Sequence, residues 1–376
     1  MTRQHMLAAV LTGHGGPEQL EVRDDVPIPR PGRGEVLVQV TAAAVNNTDL
    51  WTREGAYGRA DDPHAVAGWQ GVPLDFPRIQ GGDVVGVVTA VGDEADEAIV
   101  GRRVLLDPTR YADGSGGDDG GDDGGDDGGD GGDSDPGTDE PTLEAVLGSE
   151  LDGGFAEYVA IAVDQAHDVT DSPLSDEQLA CLPIAYGTAT GMLERAQVRA
   201  EETVLVTGAS GGVGLALVQL ARARGARVIA LTSADHAAAV RDAGASQVVA
   251  RDEDPVADRI RQAAAGPIAV VADVVGGWAF EQLFPLLATG GRWVTCGAVA
   301  DPVVSLDLRQ LYLHRRRLIG STMHTPSQFR RLVDDARHGR IDPVVARTYP
   351  LAQIHTAQAD FAEGDHVGKL VLVPQR

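Results

Sequence analysis

The 376-residue sequence predicts an α/β fold in two parts: a doubly wound parallel sheet with helices on both faces, inserted between two pieces of a β-rich domain. Three observations carry that prediction. From Thr203 to about Val299 short apolar runs alternate with helical stretches. The first joint of that region is a glycine-rich turn, and the flanking segments are short strand-like runs punctuated by Gly and Pro.

Taken in order, Leu7–Leu11, Leu20–Val22 and Glu35–Thr41 read as strands of a small barrel, with Val36, Val38 and Val40 on one face and Pro27, Pro29 and Pro31 marking a loop. The polar stretch Ala44–Tyr57 comes next. Phe76–Gly86 then leads into strand-like Val87–Val91, and Arg103–Leu106 follows. From Asp113 to Asp139 the chain is little but Asp and Gly in a Gly-Gly-Asp-Asp repeat, too poor in apolar groups to offset ordering entropy, so a solvated acidic insertion is expected. Calcium is the sharper reading of so many carboxylates, yet the repeat lacks both the twelve-residue calcium-loop plan and the nine-residue β-roll period. Pattern resumes at Gly153-Gly154-Phe155-Ala156-Glu157-Tyr158, and Pro173–Arg195 reads as helical, with Ser175 as its cap.

The central joint is the most informative stretch. Val204–Val206 reads as a buried strand that breaks at Gly208 into Ala209-Ser210-Gly211-Gly212-Val213-Gly214 and opens a helix on which Val213, Leu217, Leu220 and Ala221 recur at helical spacing. Ala209, Gly211 and Gly214 fill the small-residue places of a dinucleotide-binding fingerprint, where backbone N–H groups approach a pyrophosphate at the positive end of the helix. The next strand, Val228–Leu231, ends in Thr232 and Ser233, with Asp235 and His236 beyond. An NAD site commonly places an acid there, whereas hydroxyls accept a 2′-phosphate without repelling it, so NADP(H) is expected and NAD(H) is the alternative. Further strands are expected at Gln247–Ala250, Ala269–Asp273 and Arg292–Thr295. Two of them end in Asp273–Gly277 and in Cys296-Gly297-Ala298, the ends at which such sheets bind ligands. Cys296 reads as a small buried thiol and Arg315-Arg316-Arg317 as a solvated face.

Composition excludes other classes. With 56 Asp and Glu against 31 Lys and Arg the net charge is −25, and Lys369 is the only lysine. Such self-repulsion is tolerable where salt screens it, which points to a salt-adapted cytoplasm such as that of a halophilic archaeon, and it argues against a nucleic-acid partner. No apolar run reaches the roughly 18 residues that cross a bilayer, so no membrane is expected. Cys181 and Cys296 are too few for a disulfide framework or a four-thiolate zinc site.

Over nearly its whole length the chain resembles the medium-chain dehydrogenase/reductase superfamily. The likeness rests on Gly81-Gly82-Asp83-Val84-Val85-Gly86, Gly101-Arg102-Arg103-Val104, the Gly-Phe-Ala-Glu-Tyr segment, the Ala-Ser-Gly-Gly-Val-Gly turn and the terminal Gly368-Lys369-Leu370-Val371-Leu372. It implies a GroES-like β-barrel catalytic domain over 1–165 and 316–376, a Rossmann NAD(P)-binding domain over 166–315, an active site between them and a homodimer joined through the Rossmann sheets. In zinc members the metal ligands stand where this chain has Asn46, Gly82 and Ala180, Cys181 lies one place off, and Asp49 and Asp83 are the remaining donors. None of the three is a zinc ligand, and no metal is expected.

The resemblance narrows to the zinc-free quinone oxidoreductase branch, whose first motif is matched by Asn46, Asp49, Trp51, Arg53, Gly55 and Tyr57. It implies hydride transfer to a small electrophilic acceptor, a quinone or an α,β-unsaturated carbonyl. Tyr57 would then be the proton or hydrogen-bond donor, Asn46 would orient the carbonyl or the nicotinamide ribose, and Asp49 and Arg53 would complete the catalytic set. Trp51 reads as packing. His236 stands where the family has a lysine for the 2′-phosphate, and the Cys296–Ala298 turn would contact the nicotinamide amide. A zinc-type alcohol dehydrogenase with unusual ligands and a nucleotide sensor without catalysis are the competing readings.

Overall fold

The computed structural model describes residues 3–57, 73–112, 141–253 and 255–374; the acidic insertion expected at 113–139 lies outside them. Six parallel strands form the inserted sheet, in the order Gln247–Ala250, Arg227–Thr232, Thr203–Val206, Ile268–Asp273, Leu287–Thr295, Arg317–Gly320. Order reverses after Thr203–Val206, the first strand in sequence, and a ligand crevice belongs at such a switch point. Val204, Leu205, Val206, Val228, Ile229, Val270 and Val271 are wholly buried because helices cover both faces of the sheet. Trp293 on the fifth strand packs edge-on against Phe280 at 4.9 Å, closing the core on one face.

The flanks form a barrel-like sheet, ordered Ala166–Asp168, Arg103–Leu106, Asp83–Val91, Glu35–Ala44, Lys369–Val373, Val345–Pro350, with Tyr158–Ala162 also paired to Glu35–Ala44. A three-stranded sheet (Leu20–Pro27, His5–Leu11, Arg78–Ile79) and a hairpin of Thr109–Tyr111 with Leu143–Val146 complete this part. Along Glu35–Ala44, Val36, Val38 and Val40 are buried and Gln39 is exposed, as the alternation requires.

Both domain borders read from the sequence move. Ala166–Asp168 pairs antiparallel with Arg103–Leu106 and belongs to the barrel, although the border was expected at 165. Arg317–Gly320 pairs parallel with Leu287–Thr295 and belongs to the inserted sheet, although that sheet was expected to end at 315. Arg317 is thus a strand residue at the sheet edge. The Pro173–Arg195 stretch divides into helices Asp176–Leu179 and Pro183–Arg195, because Pro183 occupies a first-turn position and starts the second. In the tail, helix Ile354–Glu363 stands between the two strands, where only strands were expected.

Helix Pro183–Arg195 sits between the two parts and is buried on nearly all sides. At its start Ile184 N–H donates to Asp83 Oδ1 of the barrel at 2.7 Å, while Tyr186 OH donates to Gln219 Oε1 of the helix after the glycine turn at 2.8 Å. It therefore holds both walls of the cleft.

Candidate functional site

The glycine turn is built by close backbone packing. A Cβ on Gly214 would stand 2.1 Å from Gly208 O, so the crossing of strand and helix Gly212–Ala223 admits only glycine there. Gly211 differs: a Cβ on it would meet nothing nearer than Gly208 O at 3.6 Å, so its outer side is open. Ser210, Gly211, Gly212 and Val213 are half-buried at the helix N-terminus, the place where N–H groups and the helix dipole favour an anion. Thr207 Oγ1 donates to Asp273 Oδ1 at 2.6 Å and ties this strand end to its neighbour.

The other expected cofactor residues lie along the same carboxyl edge. Thr232 is buried, and its Oγ1 has no hydrogen-bond partner among the described residues. Ser233 beside it is half-buried. Arg251, exposed at the end of the neighbouring strand, donates its backbone N–H to Thr232 O at 2.7 Å; the sequence reading passed over it. His236 Nε2 lies 3.8 Å from Asp365 Oδ1, next to the C-terminal loop. Cys296, Gly297 and Ala298 are partly buried, and burial pushes the Cys296 thiol up to about 12, which keeps it protonated at neutral pH.

On the barrel side, Asn46 caps helix Asn47–Glu54, and Gly55 ends it in the left-handed region with φ 76°. Two residues on stands Tyr57, edge-on to Trp51 at 5.8 Å. Burial, together with the Asp49 carboxyl and the Cys296 thiol nearby, holds the Tyr57 phenol above its ordinary value, and a hydrogen bond with the Thr48 side chain opposes them. Tyr57 from the barrel thus lies near Cys296 from the parallel sheet. Arg53 points elsewhere: it is buried, and its guanidinium donates to Gln358 Oε1 on helix Ile354–Glu363. Asp83 is bonded to other groups.

Those groups form a buried cluster. Lys369, the single lysine, is 4% exposed; its Nζ lies 2.9 Å from Asp83 Oδ2, donates to Val45 O at 2.8 Å and also donates to Asn46 Oδ1. Asn46 Nδ2 donates to Asp83 Oδ2 at 2.8 Å and to Ala44 O at 3.2 Å. Asp83, wholly buried, has its second oxygen on Ile184 N–H. The Asn46 amide is therefore committed inside the protein, and its contribution is to position the helix it caps. Sequence reading placed Asn46 at the site but missed Lys369. The signal was present: one lysine in a chain that otherwise uses arginine.

Asp49 stands behind Asn46, accepting a hydrogen bond from its N–H at 2.7 Å, and burial pushes the Asp49 carboxyl up to about 7. A proton bound more tightly in the folded state stabilises the fold below the ordinary value of 3.8, and that contribution disappears as pH rises through about 7. Three pK units correspond to about 4 kcal/mol as an upper bound. Asp49→Asn is accordingly expected to flatten the dependence of Tm on pH over this window and to gain stability relative to the parent at alkaline pH. Calorimetric melts at fixed molar salt check this; an unchanged pH slope would refute the assignment.

Comparison with known proteins agrees with this geometry. Residues 32–171 match the model of the alcohol dehydrogenase GroES-like domain and residues 212–337 that of the zinc-binding dehydrogenase. The chain is 32% identical over 373 residues to acryloyl-coenzyme A reductase of Metallosphaera sedula, covering 98% of this chain and 99% of that one. It is 28% identical over 383 residues to human quinone oxidoreductase, with 99% of both chains covered. A solved Sinorhizobium meliloti protein assigned to the alcohol dehydrogenases superimposes with a TM-score of 0.88 at 46% identity, over 100% of this chain and 98% of that one. On these matches and on the two-part fold with its cleft, the chain is an oxidoreductase of the medium-chain dehydrogenase/reductase superfamily.

Proposed function

We propose that the protein is an NADPH-dependent reductase that delivers hydride to a quinone or an α,β-unsaturated carbonyl compound without a catalytic zinc. The observation that carries this reading is the Asn46–Lys369–Asp83 cluster: the side chain at the first zinc-ligand position is bonded to an ammonium group. The second position, Gly82, has no side chain to ligate a metal, and a Cβ there would stand in a tight 3.0 Å contact with Leu147 O. Among the described residues no three His, Cys, Asp or Glu side chains gather as metal ligands. This donor set does not fit zinc.

The residues do fit a nicotinamide dinucleotide. The open side of Gly211 at the helix N-terminus is a place where a pyrophosphate can be received. The exposed Arg251 at the same edge supports a 2′-phosphate and hence NADP(H) over NAD(H). When bound, the cofactor supplies a hydride. The chain's part is to orient the acceptor and to stabilise the negative charge that develops on its oxygen. Tyr57 suits that role: a phenol is protonated at neutral pH, burial holds this one further above its ordinary value, and its O–H can donate to an oxyanion. Acceptors that are already electrophilic need no metal to polarise them. An activated alkene and a quinone are also the compound classes named in the acryloyl-coenzyme A reductase and quinone oxidoreductase relatives.

In molar salt the protein is expected to oxidise NADPH in the presence of a quinone or enone panel, and treatment with a chelator should leave the rate unchanged. Loss of the rate on chelation, restored by zinc, would favour a zinc-type alcohol dehydrogenase. Nucleotide binding with no acceptor reduced would favour a sensor.

A second copy of the chain is proposed along the Arg317–Gly320 edge of the parallel sheet. Val299, Val303, Leu308, Tyr312, Leu313 and Leu318 are exposed there and nearby, a concentration of apolar side chains that a lone protein does not usually leave in water. Sizing in molar salt should give about twice the 39.3 kDa chain mass, and a single-chain mass would sink the idea. The charge balance supports a salt-rich cytoplasm as its setting.

A further inference from the structure

We propose that Lys369 is a positioning residue that couples the nucleotide turn to the helix carrying the substrate motif, so that cofactor occupancy organises Tyr57; the proposal rests on the dinucleotide reading of the turn. The coupling runs through a short stretch of backbone and one side chain. Lys369 opens the strand Lys369–Val373, which belongs to the barrel and pairs with Glu35–Ala44. Yet Gly368 N–H donates to Ser210 O in the glycine turn at 3.0 Å. The lysine stem lies against the same turn: a Cβ on Gly212 would stand 2.6 Å from Lys369 Cδ and 3.4 Å from Ala185 Cβ. The ammonium at the far end of that stem holds Val45 O, Asn46 Oδ1 and Asp83 Oδ2.

Asn46 is the cap of helix Asn47–Glu54, and Asp49 accepts from its backbone N–H at 2.7 Å, so a shift of Asn46 turns the helix start. Tyr57 follows that helix and is hydrogen-bonded with Thr48 in its first turn. The path from turn to phenol is thus Ser210 and Gly212, then Gly368 and Lys369, then Asn46 and the helix, all in packed or hydrogen-bonded contact. Lys369 is also the counter-charge of Asp83, a carboxylate wholly removed from water. Those two roles, neutralising Asp83 and tying the turn to the helix, can be separated by mutation.

Lys369→Met alone leaves Asp83 uncompensated and risks loss of the fold; the double variant Asp83→Asn with Lys369→Met removes both charges and keeps the Asp83 site hydrogen-bonding. The readout is hydrogen–deuterium exchange of the helix Asn47–Glu54 amides with and without NADPH. In the parent, NADPH is expected to slow their exchange about tenfold or more. In the double variant, NADPH is expected to bind within about threefold of the parent affinity, while the protection is lost and kcat falls about a hundredfold with the acceptor KM little changed. Combined with Tyr57→Phe, the double variant should cost little beyond Tyr57→Phe alone, because both act through the same phenol. Parent-like protection and kcat in the double variant would show that the lysine only neutralises Asp83 and would overturn the proposal, as would kcat losses that multiply with Tyr57→Phe. A fall in NADPH affinity that matches the fall in kcat would make Lys369 a nucleotide contact instead and overturn it too. Failure of the parent to bind any nicotinamide nucleotide would remove the dinucleotide reading and this proposal together.

Discussion

Gly211→Ala is expected to weaken NADPH binding about a hundredfold, or roughly 3 kcal/mol, while changing fold stability by less than about 0.5 kcal/mol. The two effects separate because of where the new methyl goes. Gly211 has an extended backbone, φ −76° and ψ 173°, which any residue adopts, and its Cβ would meet no protein atom nearer than 3.6 Å. In the protein by itself alanine fits. If a pyrophosphate lies against this turn, the methyl occupies the ligand's place, since the second small residue of the fingerprint exists to let backbone approach the phosphates. Gly214→Ala cannot serve, because its methyl collides with Gly208 O at 2.1 Å and folding and binding fail together. Fluorescence titration with NADPH alongside a thermal melt checks the prediction, and parent-like affinity in Gly211→Ala would place the nucleotide elsewhere.

Tyr57→Phe is expected to lower kcat by about a hundredfold to a thousandfold, with NADPH affinity unchanged. The hydroxyl is the only atom removed, so packing against Trp51 survives. Burial holds the phenol above its ordinary value of 10.0, so any loss of rate from its ionisation is expected only on the alkaline side of that value. Stopped-flow oxidation of NADPH by a quinone gives the comparison. A variant that keeps the parent rate would make Tyr57 a wall of the cleft and leave the proton to come from solvent.

The parts of this protein that were legible in the sequence are those whose cause is local. The strand, turn and helix from Thr203 to Ala223 are specified by a buried β-branched run, glycine spacing and helical periodicity within a few residues of one another. The barrel strand Glu35–Ala44 announces itself by its alternation. Misplaced borders came from elements whose partners are remote: Ala166–Asp168 is three residues long and is a strand only because Arg103–Leu106 lies beside it. Arg317–Gly320 begins at the third of three arginines that read as a solvated face, yet Arg316 is buried over the Phe284 ring and the strand's place is fixed by pairing with Leu287–Thr295.

The sequence by itself determined that a strand breaks at a glycine-rich turn into a helix, that the expected metal-ligand positions hold Asn46, Gly82 and Ala180, and that one lysine stands among thirty arginines. Only the tertiary structure decided what the lysine does. Lys369 and Asn46 are 323 residues apart, and Asn46 and Asp83 are 37 apart. No local pattern encodes contacts at such separations; they arise when the C-terminal strand adds to the barrel beside Glu35–Ala44 and carries the ammonium into a site closed to water. There a carboxylate must find a counter-charge or lose its ionisation, and that requirement brings the three side chains together.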